Sequence, residues 1–140
     1  MKKQRPCGRF ALRIENYFER VRQTLDDCLI IQSFDIAYDK RGSYEGFIHG
    51  QIYFLDGSIL HLREYVDVET ILDRIVYAYQ YMTSDEQLVF RYDNTGHHKK
   101  LKLYTYPHHK HAGSVENVIE STAPDLAAVL KEIEPLITLS

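Results

Sequence analysis

Apolar residues recur at helical spacing near both ends of the chain. Near the N-terminus, Ala11, Ile14, Phe18, Val21 and Leu25 would share one side of a helix, which predicts a helix over residues 10–25. Near the C-terminus, a second apolar stripe follows Pro124, and Ser121 or Thr122 is the expected N-cap. The stripe consists of Leu126, Val129, Leu130 and Ile133.

Between the two predicted helices, short stretches rich in Ile, Tyr and Phe alternate with turn-forming residues. They predict about six strands, over residues 29–38, 44–55, 58–66, 75–81, 87–93 and 101–106. Residues 114–120 are predicted to form a short helix. Because all the connections are short, consecutive strands should be neighbours. We therefore expect one α+β domain over residues 1–140, with a curved antiparallel meander and both terminal helices on one face.

Asp56-Gly57 is the strongest hairpin signal in the chain. A two-residue turn there places His49 opposite Glu64 and Ile52 opposite His61. The His49–Glu64 pair then has two interpretations, an acid/base element or a structural hydrogen bond.

The last three predicted strands have one aromatic face and one polar face. Strand alternation assigns these residues to the core: Ile75, Tyr77, Tyr79, Tyr81, Leu88, Phe90, Tyr92, Leu101 and Leu103. The other face collects Arg74, Gln80, Val89, Arg91, Asp93, Lys102, Tyr104, Tyr106 and His108. A hairpin around residues 94–96 sets Arg91 opposite Tyr104 and Asp93 opposite Lys102. This face is either solvated and held by ion pairs or a functional surface.

Composition narrows the class of protein. The chain has 140 residues, of which 44% are hydrophobic and 26% charged, as expected for a globular domain. Its formal net charge of −3 excludes a protein that coats nucleic acid by bulk charge, but not an enzyme that holds a few phosphates. No apolar run is long enough for a membrane helix, and no apolar segment follows the basic residues 1–6. We therefore expect a cytoplasmic protein without membrane contact.

Five of the seven histidines lie between residues 97 and 111, and three interpretations are open. Histidine with carboxylate ligands suits zinc and related metals. Alternatively, histidine titrates near neutral pH and would serve as a general acid or base beside phosphate-binding cations. In the third interpretation, the histidines belong to a polar surface loop without a catalytic or metal-binding role. The favoured interpretation needs neither a metal nor another cofactor.

The histidines form two groups that a regular strand would separate. A strand over residues 101–106 spans about 20 Å, so His97 and His98 would lie at one end and the histidines after Pro107 at the other. They would share a site only if residues 94–100 fold back or a neighbouring subunit contributes. A homodimer is one expectation, because the sheet has edges.

Several features together resemble the TumE family of toxins from toxin–antitoxin modules. They are Asp56-Gly57-Ser58, Glu64, Tyr79, Tyr81, the string from Phe90 to Asn94, His97-His98, and Pro107-His108-His109-Lys110-His111. The resemblance spans roughly residues 30–112. It implies a toxin encoded beside a cognate antitoxin, often one with a helix-turn-helix domain.

The site chemistry leads to the hypothesis of a metal-independent endoribonuclease. Arg91 and Lys102 would bind phosphate, His108 or His111 would transfer protons, and Asp93 would orient Arg91. The predicted catalytic residues are His108, His111, Arg91, Asp93 and Tyr104. The predicted substrate contacts are Lys102, Tyr106, His97, His98, Asn94, Lys110 and Glu64. The alternatives are a non-catalytic module that binds RNA or protein, and a metal-dependent hydrolase with histidine ligands.

Overall fold

A computed structural model describes residues 13–95 and 107–138 of the chain. Within these residues the protein is an α+β domain with one open, seven-stranded antiparallel sheet, whose strands lie in sequence order. The helices are α1 (Ile14–Asp26) and α2 (Leu126–Ile133), and a 3₁₀ turn (Glu134–Leu136) follows α2. The strands are β1 (Ile31–Lys40), β2 (Glu45–Phe54), β3 (Ile59–Asp67), β4 (Asp73–Met82), β5 (Leu88–Asp93), β6 (His109–Ala112) and β7 (Val118–Glu120). The predicted meander and fold class are confirmed.

The core lies between the sheet and the two helices. α1 contributes Ile14, Tyr17, Phe18, Val21 and Leu25, and α2 contributes Leu126, Val129, Leu130 and Ile133. They pack on alternate residues of the central strands, so each strand buries one face as its pattern predicts. Tyr77, Tyr79, Tyr81, Phe90 and Tyr92 are buried on this side as expected. Among the described residues, neither helix has the length and apolar character required to cross a membrane.

Two local predictions near the C-terminus are wrong. Residues 114–117 form a turn and residues 118–120 form β7, where a short helix was expected, because Val118 and Ile119 pair with β6. α2 is capped by Asp125, whose carboxylate accepts a hydrogen bond from the Ala128 amide at 2.9 Å, and not by Ser121 or Thr122. The residue before Pro124 is driven away from helical geometry, so the helix begins after the proline.

The β2–β3 hairpin has a three-residue loop and not the predicted two-residue turn. The Phe54 amide donates to the Ser58 carbonyl at 2.9 Å, and Gly57 adopts a positive φ of 87°. This loop shifts the register by one residue, so His49 pairs with Arg63, and Ile48 pairs with Glu64. The predicted His49–Glu64 pair is therefore wrong, since the two side chains lie on opposite faces of the sheet.

Gly50 lets β1 approach β2 closely, and its replacement should be costly. A Cβ atom at this position would lie 2.1 Å from the Asp35 carbonyl oxygen, in the backbone of β1. We expect Gly50→Ala to lower the free energy of unfolding by about 1–3 kcal/mol or more, because backbone must move to admit the methyl group. Urea unfolding of the variant measures this loss.

Gly42→Ala is the matched control, since nothing lies within 4 Å of a Cβ atom there. Its free energy of unfolding should stay within about 0.5 kcal/mol of the parent protein. Equal losses in the two variants would contradict the close approach of β1 to Gly50.

Candidate functional site

Two rows of polar side chains cross the face of the sheet opposite the helices, which we call the distal face. Directly paired residues share a face, so the strand register defines both rows. The first row consists of Gln51, His61, Gln80, Arg91 and His111, and the second of His49, Arg63, Ala78, Asp93 and His109. The rows bring residues that are far apart in sequence into one band.

Asp93 is the centre of this band on β5. Its side chain is 2% exposed, and one carboxylate oxygen accepts the Arg91 Nε–H at 2.8 Å. The other oxygen accepts the Thr95 amide and hydroxyl, each at 3.0 Å. Burial alone would raise the pKa of Asp93, but the bonds from Thr95 and Arg91 and the nearby His109 lower it overall. Asp93 is thus a fixed, buried carboxylate anion.

His109 and His111 lie on β6 beside Asp93 and are themselves buried, with 2% and 6% of their surfaces exposed. The Nε2 atom of His109 is 2.8 Å from one Asp93 carboxylate oxygen, and that of His111 is 3.6 Å from the other. At the far side of each ring, Nδ1 lies within hydrogen-bonding distance of a backbone carbonyl, Pro107 for His109 (2.9 Å) and Val115 for His111 (2.8 Å). Both rings therefore lie with Nε2 beside the Asp93 carboxylate and Nδ1 beside a backbone carbonyl.

Arg91 links this cluster to a shallow depression on the distal face. Its guanidinium donates to the Gln80 side chain at 3.0 Å and borders a volume of about 350 Å³. The depression is lined by His49, Gly50, Gln51, His61, Leu62, Arg63, Ala78 and Arg91. Among the described residues, two guanidiniums and no carboxylate belong to this lining, so the depression suits an anion such as a phosphate.

The predicted partners of β5 are wrong. Arg91 pairs with Gln80 on one side and His111 on the other, and Asp93 pairs with Ala78 and His109. Both edges of β5 are thus occupied, which excludes the expected pairing of Arg91 with Tyr104 and of Asp93 with Lys102.

The predicted site residues His97, His98, Lys102, Tyr104 and Tyr106 lie outside the described residues, and so does the predicted strand over residues 101–106.

His108 and Lys110 lie on the helix side of the sheet, so the prediction that His108 shares a face with Arg91 is wrong. His108 Nδ1 is 2.7 Å from the Tyr77 hydroxyl, and its ring stacks on that of Tyr77. Burial, aided by the charge of Arg74, lowers the pKa of His108. Lys110 bonds to Glu132 of α2 at 3.0 Å. Alternation along β6 explains this, because residues 108 and 110 must face away from 109 and 111.

Arg74 was predicted on the polar face and also lies on the helix side. Val66 pairs with Arg74 and Tyr65 with Val76, so Ile75 is an extra residue in a bulge that rotates Arg74 inward. The guanidinium donates to the carbonyls of Ala123 and Pro124, at 2.8 Å each. Ile75, predicted in the core, is 43% exposed for the same reason.

Glu64 and Asn94, two of the predicted substrate contacts, have partners within the fold. Glu64 is 1% exposed on the helix side and accepts hydrogen bonds from the Tyr17 and Tyr79 hydroxyls. The Asn94 amide bonds to the backbone of Tyr77 and Ile75, which ties the end of β5 to β4. Neither residue lines the depression.

The structure adds His109, Arg63, His49 and His61 to the residues of the distal face, and it keeps Gln80 there as predicted. The available sequence signal for His109 is the alternation His109-Lys110-His111, which places both histidines on one face once residues 109–112 are taken as a strand. The other three, Arg63, His49 and His61, are assigned to this face only when the hairpin registers are correct.

Comparison with known proteins assigns the chain to a family. A family model described as Toxin TumE matches residues 19–137, most of the chain. Neither the curated proteins nor the solved structures include a significant match. The match contains all of the distal-face residues described above.

Proposed function

This chain belongs to the TumE toxin family, and from that premise we propose that it arrests growth by cleaving RNA on the distal face. Membership makes it a toxin of a toxin–antitoxin system with a cognate antitoxin. The observation that carries the proposal is the position of Arg91, which bonds to Asp93 of the buried Asp93–His109–His111 cluster and also borders the depression. A phosphate bound by Arg91 would lie next to the groups that do the chemistry.

Arg91 and Arg63 are the proposed phosphate ligands. Arg63 lies on β3 and Arg91 on β5, so their backbones are about 10 Å apart across the strands and about 7 Å apart along them. Guanidinium groups bind phosphate through paired hydrogen bonds, and two of them would hold a strand of RNA across the sheet. The Asp93 carboxylate orients Arg91 by accepting its Nε–H, which leaves the outer nitrogens for Gln80 and substrate.

Single-stranded RNA suits this surface better than a duplex. The rings of Phe47 and His49 stack at 4.8 Å on β2, beside the depression, and offer a flat platform to an unstacked base. The predicted roles of Tyr104 as a catalytic residue, of Tyr106 as a substrate contact and of Lys102 as a phosphate ligand stay predictions.

Cleavage requires a proton to leave the attacking oxygen and another to reach the leaving 5′-oxygen. In RNA the 2′-hydroxyl is the internal nucleophile: its oxygen loses the proton and bonds to phosphorus, and the bond between phosphorus and the 5′-oxygen breaks. The 5′-oxygen takes a proton from solvent water, and the products are a 2′,3′-cyclic phosphate and a 5′-hydroxyl. We assign activation of the nucleophile to the Asp93–His109–His111 cluster, since it adjoins the proposed phosphate ligand Arg91.

Mapping of RNA ends tests the proposal. The protein is expressed without its antitoxin in bacteria, and new RNA ends are counted for the parent, Arg91→Ala and Arg63→Ala. Loss of a charged hydrogen bond to phosphate is worth about 1.5–3 kcal/mol, so each variant should cut about 10- to 100-fold more slowly. Arg20→Ala is the control, because Arg20 is an exposed arginine of α1, on the helix side of the sheet.

Growth arrest without new RNA ends would overturn the proposal and favour a toxin that acts by binding alone. Equal cleavage by the parent and Arg91→Ala would remove the distal face from the mechanism.

The proposed target places the protein in the cytoplasm with its antitoxin. We further propose that this antitoxin carries a helix-turn-helix domain and that the toxin forms a homodimer. Light scattering of the toxin alone and with the product of the adjoining gene measures both assemblies.

A further inference from the structure

We propose that Asp93, His109 and His111 bind one divalent transition metal ion of the zinc type. The three residues each offer one ligand atom, and these atoms lie within 4.8 Å of one another. Two imidazole nitrogens and one carboxylate oxygen are the donor set that zinc and its neighbours prefer. All three side chains are buried on adjacent strands, so the fold holds the donors in place before any ion binds.

The direction of the histidine rings is the strongest argument for a cation. A backbone carbonyl only accepts hydrogen bonds, so Nδ1 of each ring carries a proton toward Pro107 or Val115. In the neutral imidazole this leaves a lone pair on each Nε2 atom, and both Nε2 atoms lie beside the Asp93 carboxylate. Lone pairs next to an anion repel it, and a metal cation bound among them would remove that repulsion. Metal-bound histidines have this same arrangement, with the remote nitrogen bonded to a carbonyl.

The distances suit an ion after a small adjustment. Ligand atoms about 2.0–2.1 Å from a tetrahedral zinc ion are about 3.3 Å from each other. His109 Nε2 is 2.8 Å from one Asp93 oxygen, His111 Nε2 is 3.6 Å from the other, and the three ligand atoms lie within 4.8 Å of one another. Small side-chain shifts would therefore be needed to place one carboxylate oxygen and both nitrogens around a common ion.

Arg91 and Thr95 complete the surroundings of the proposed ion. They hydrogen-bond the Asp93 carboxylate and fix its orientation, as outer partners of metal ligands do. Three protein ligands leave a coordination position for water or substrate, which is typical of catalytic sites. A role for the ion in cleavage rests on the proposed function, whereas binding of the ion does not.

Zinc titration of the purified protein tests the site without RNA. The protein is stripped with chelator and titrated with Zn²⁺ while thermal unfolding is followed. We expect one equivalent to bind per chain and to raise the Tm, because an ion bound only by the folded state stabilises it. Co²⁺ added instead should show the visible absorption bands of a tetrahedral or five-coordinate ion.

Variants decide which side chains bind the ion. His109→Ala and His111→Ala should each lower Zn²⁺ affinity more than about 100-fold, above the loss typical of outer partners. His108→Ala is the matched control and should bind like the parent, because His108 faces Tyr77 on the other side of the sheet. Circular dichroism of each stripped variant separates loss of the site from loss of the fold.

Absence of a stoichiometric Zn²⁺ or Co²⁺ complex in the folded parent protein would overturn the proposal. Equal binding by folded His109→Ala and the parent would overturn it too. Stoichiometric binding by a protein that produces no RNA ends would uphold the metal site and reject the proposed function. RNA cleavage by stripped protein in excess chelator would reject only the role of the ion in cleavage.

Discussion

Replacing Glu64 with alanine is expected to lower the free energy of unfolding by about 2–6 kcal/mol. The Glu64 carboxylate is buried and accepts hydrogen bonds from the hydroxyls of Tyr17, at 2.5 Å, and Tyr79. Burial and the nearby carboxylate raise the pKa of both tyrosines, so both hydroxyls stay protonated and act as donors. Without Glu64 two buried donors lose their acceptor, at about 1–3 kcal/mol each.

The loss should also be cooperative, because Glu64 joins several elements. Tyr17 belongs to α1 and Tyr79 to β4, and Arg74 donates to the Tyr79 hydroxyl at 3.1 Å. The same guanidinium donates to the carbonyls of Ala123 and Pro124, just before α2. Both helices are therefore attached to the sheet through one buried network, and its parts should not lose stability independently.

Urea unfolding with two comparison variants measures the effect. Glu64→Gln keeps an acceptor and most of the volume, and should lose less than Glu64→Ala. Glu132→Ala is the matched control, since Glu132 also accepts a tyrosine hydroxyl, from Tyr92 at 2.7 Å, but is partly exposed. Water can replace the Glu132 carboxylate as the acceptor, so we expect Glu132→Ala to lower the free energy of unfolding by about 1 kcal/mol or less. A smaller loss for Glu64→Ala than for Glu132→Ala would show that the network contributes little.

The fold was predictable because its main signals are local. Tyr77, Tyr79 and Tyr81 alternate with smaller or polar residues, and such a pattern is stable only as a strand with one buried face. The apolar residues of α2 recur at helical spacing, and such a pattern is typical of a helix with one buried face. Short connections then leave an antiparallel meander as the simplest topology, and the structure has it.

The composition of the site was less predictable because it depends on single-residue register. Asp56-Gly57 is compatible with loops of two or three residues, and the difference moves Glu64 from the polar face into the core. Nothing local to Arg91 indicates whether β5 pairs with residues 101–106 or with His109–Ala112. That choice is made by non-local contacts, above all the burial of Asp93 between His109 and His111.

The second large effect is expected at His109. We expect His109→Ala to reduce the rate of RNA cleavage at least about 100-fold. Proton transfer by a positioned side chain typically contributes a factor of about 100 to 10,000 to the rate. The reason is geometric, because the Nε2 atom of His109 lies 2.8 Å from the Asp93 carboxylate that orients Arg91. Removal of the ring would take away one member of the cluster and leave the phosphate ligand in place.

The adjacent histidine provides the sharpest comparison. His108 is next to His109 in sequence but faces the helices, where it contacts Tyr77, whose pKa burial raises to about 12. His108→Ala should therefore lower stability more than activity, and cells expressing it should still arrest growth. Rates of RNA cleavage for both variants, with thermal unfolding of each, separate the two effects. The opposite order, with His108→Ala inactive and His109→Ala active, would place the chemistry on the helix side of the sheet and make the assignment of the distal face untenable.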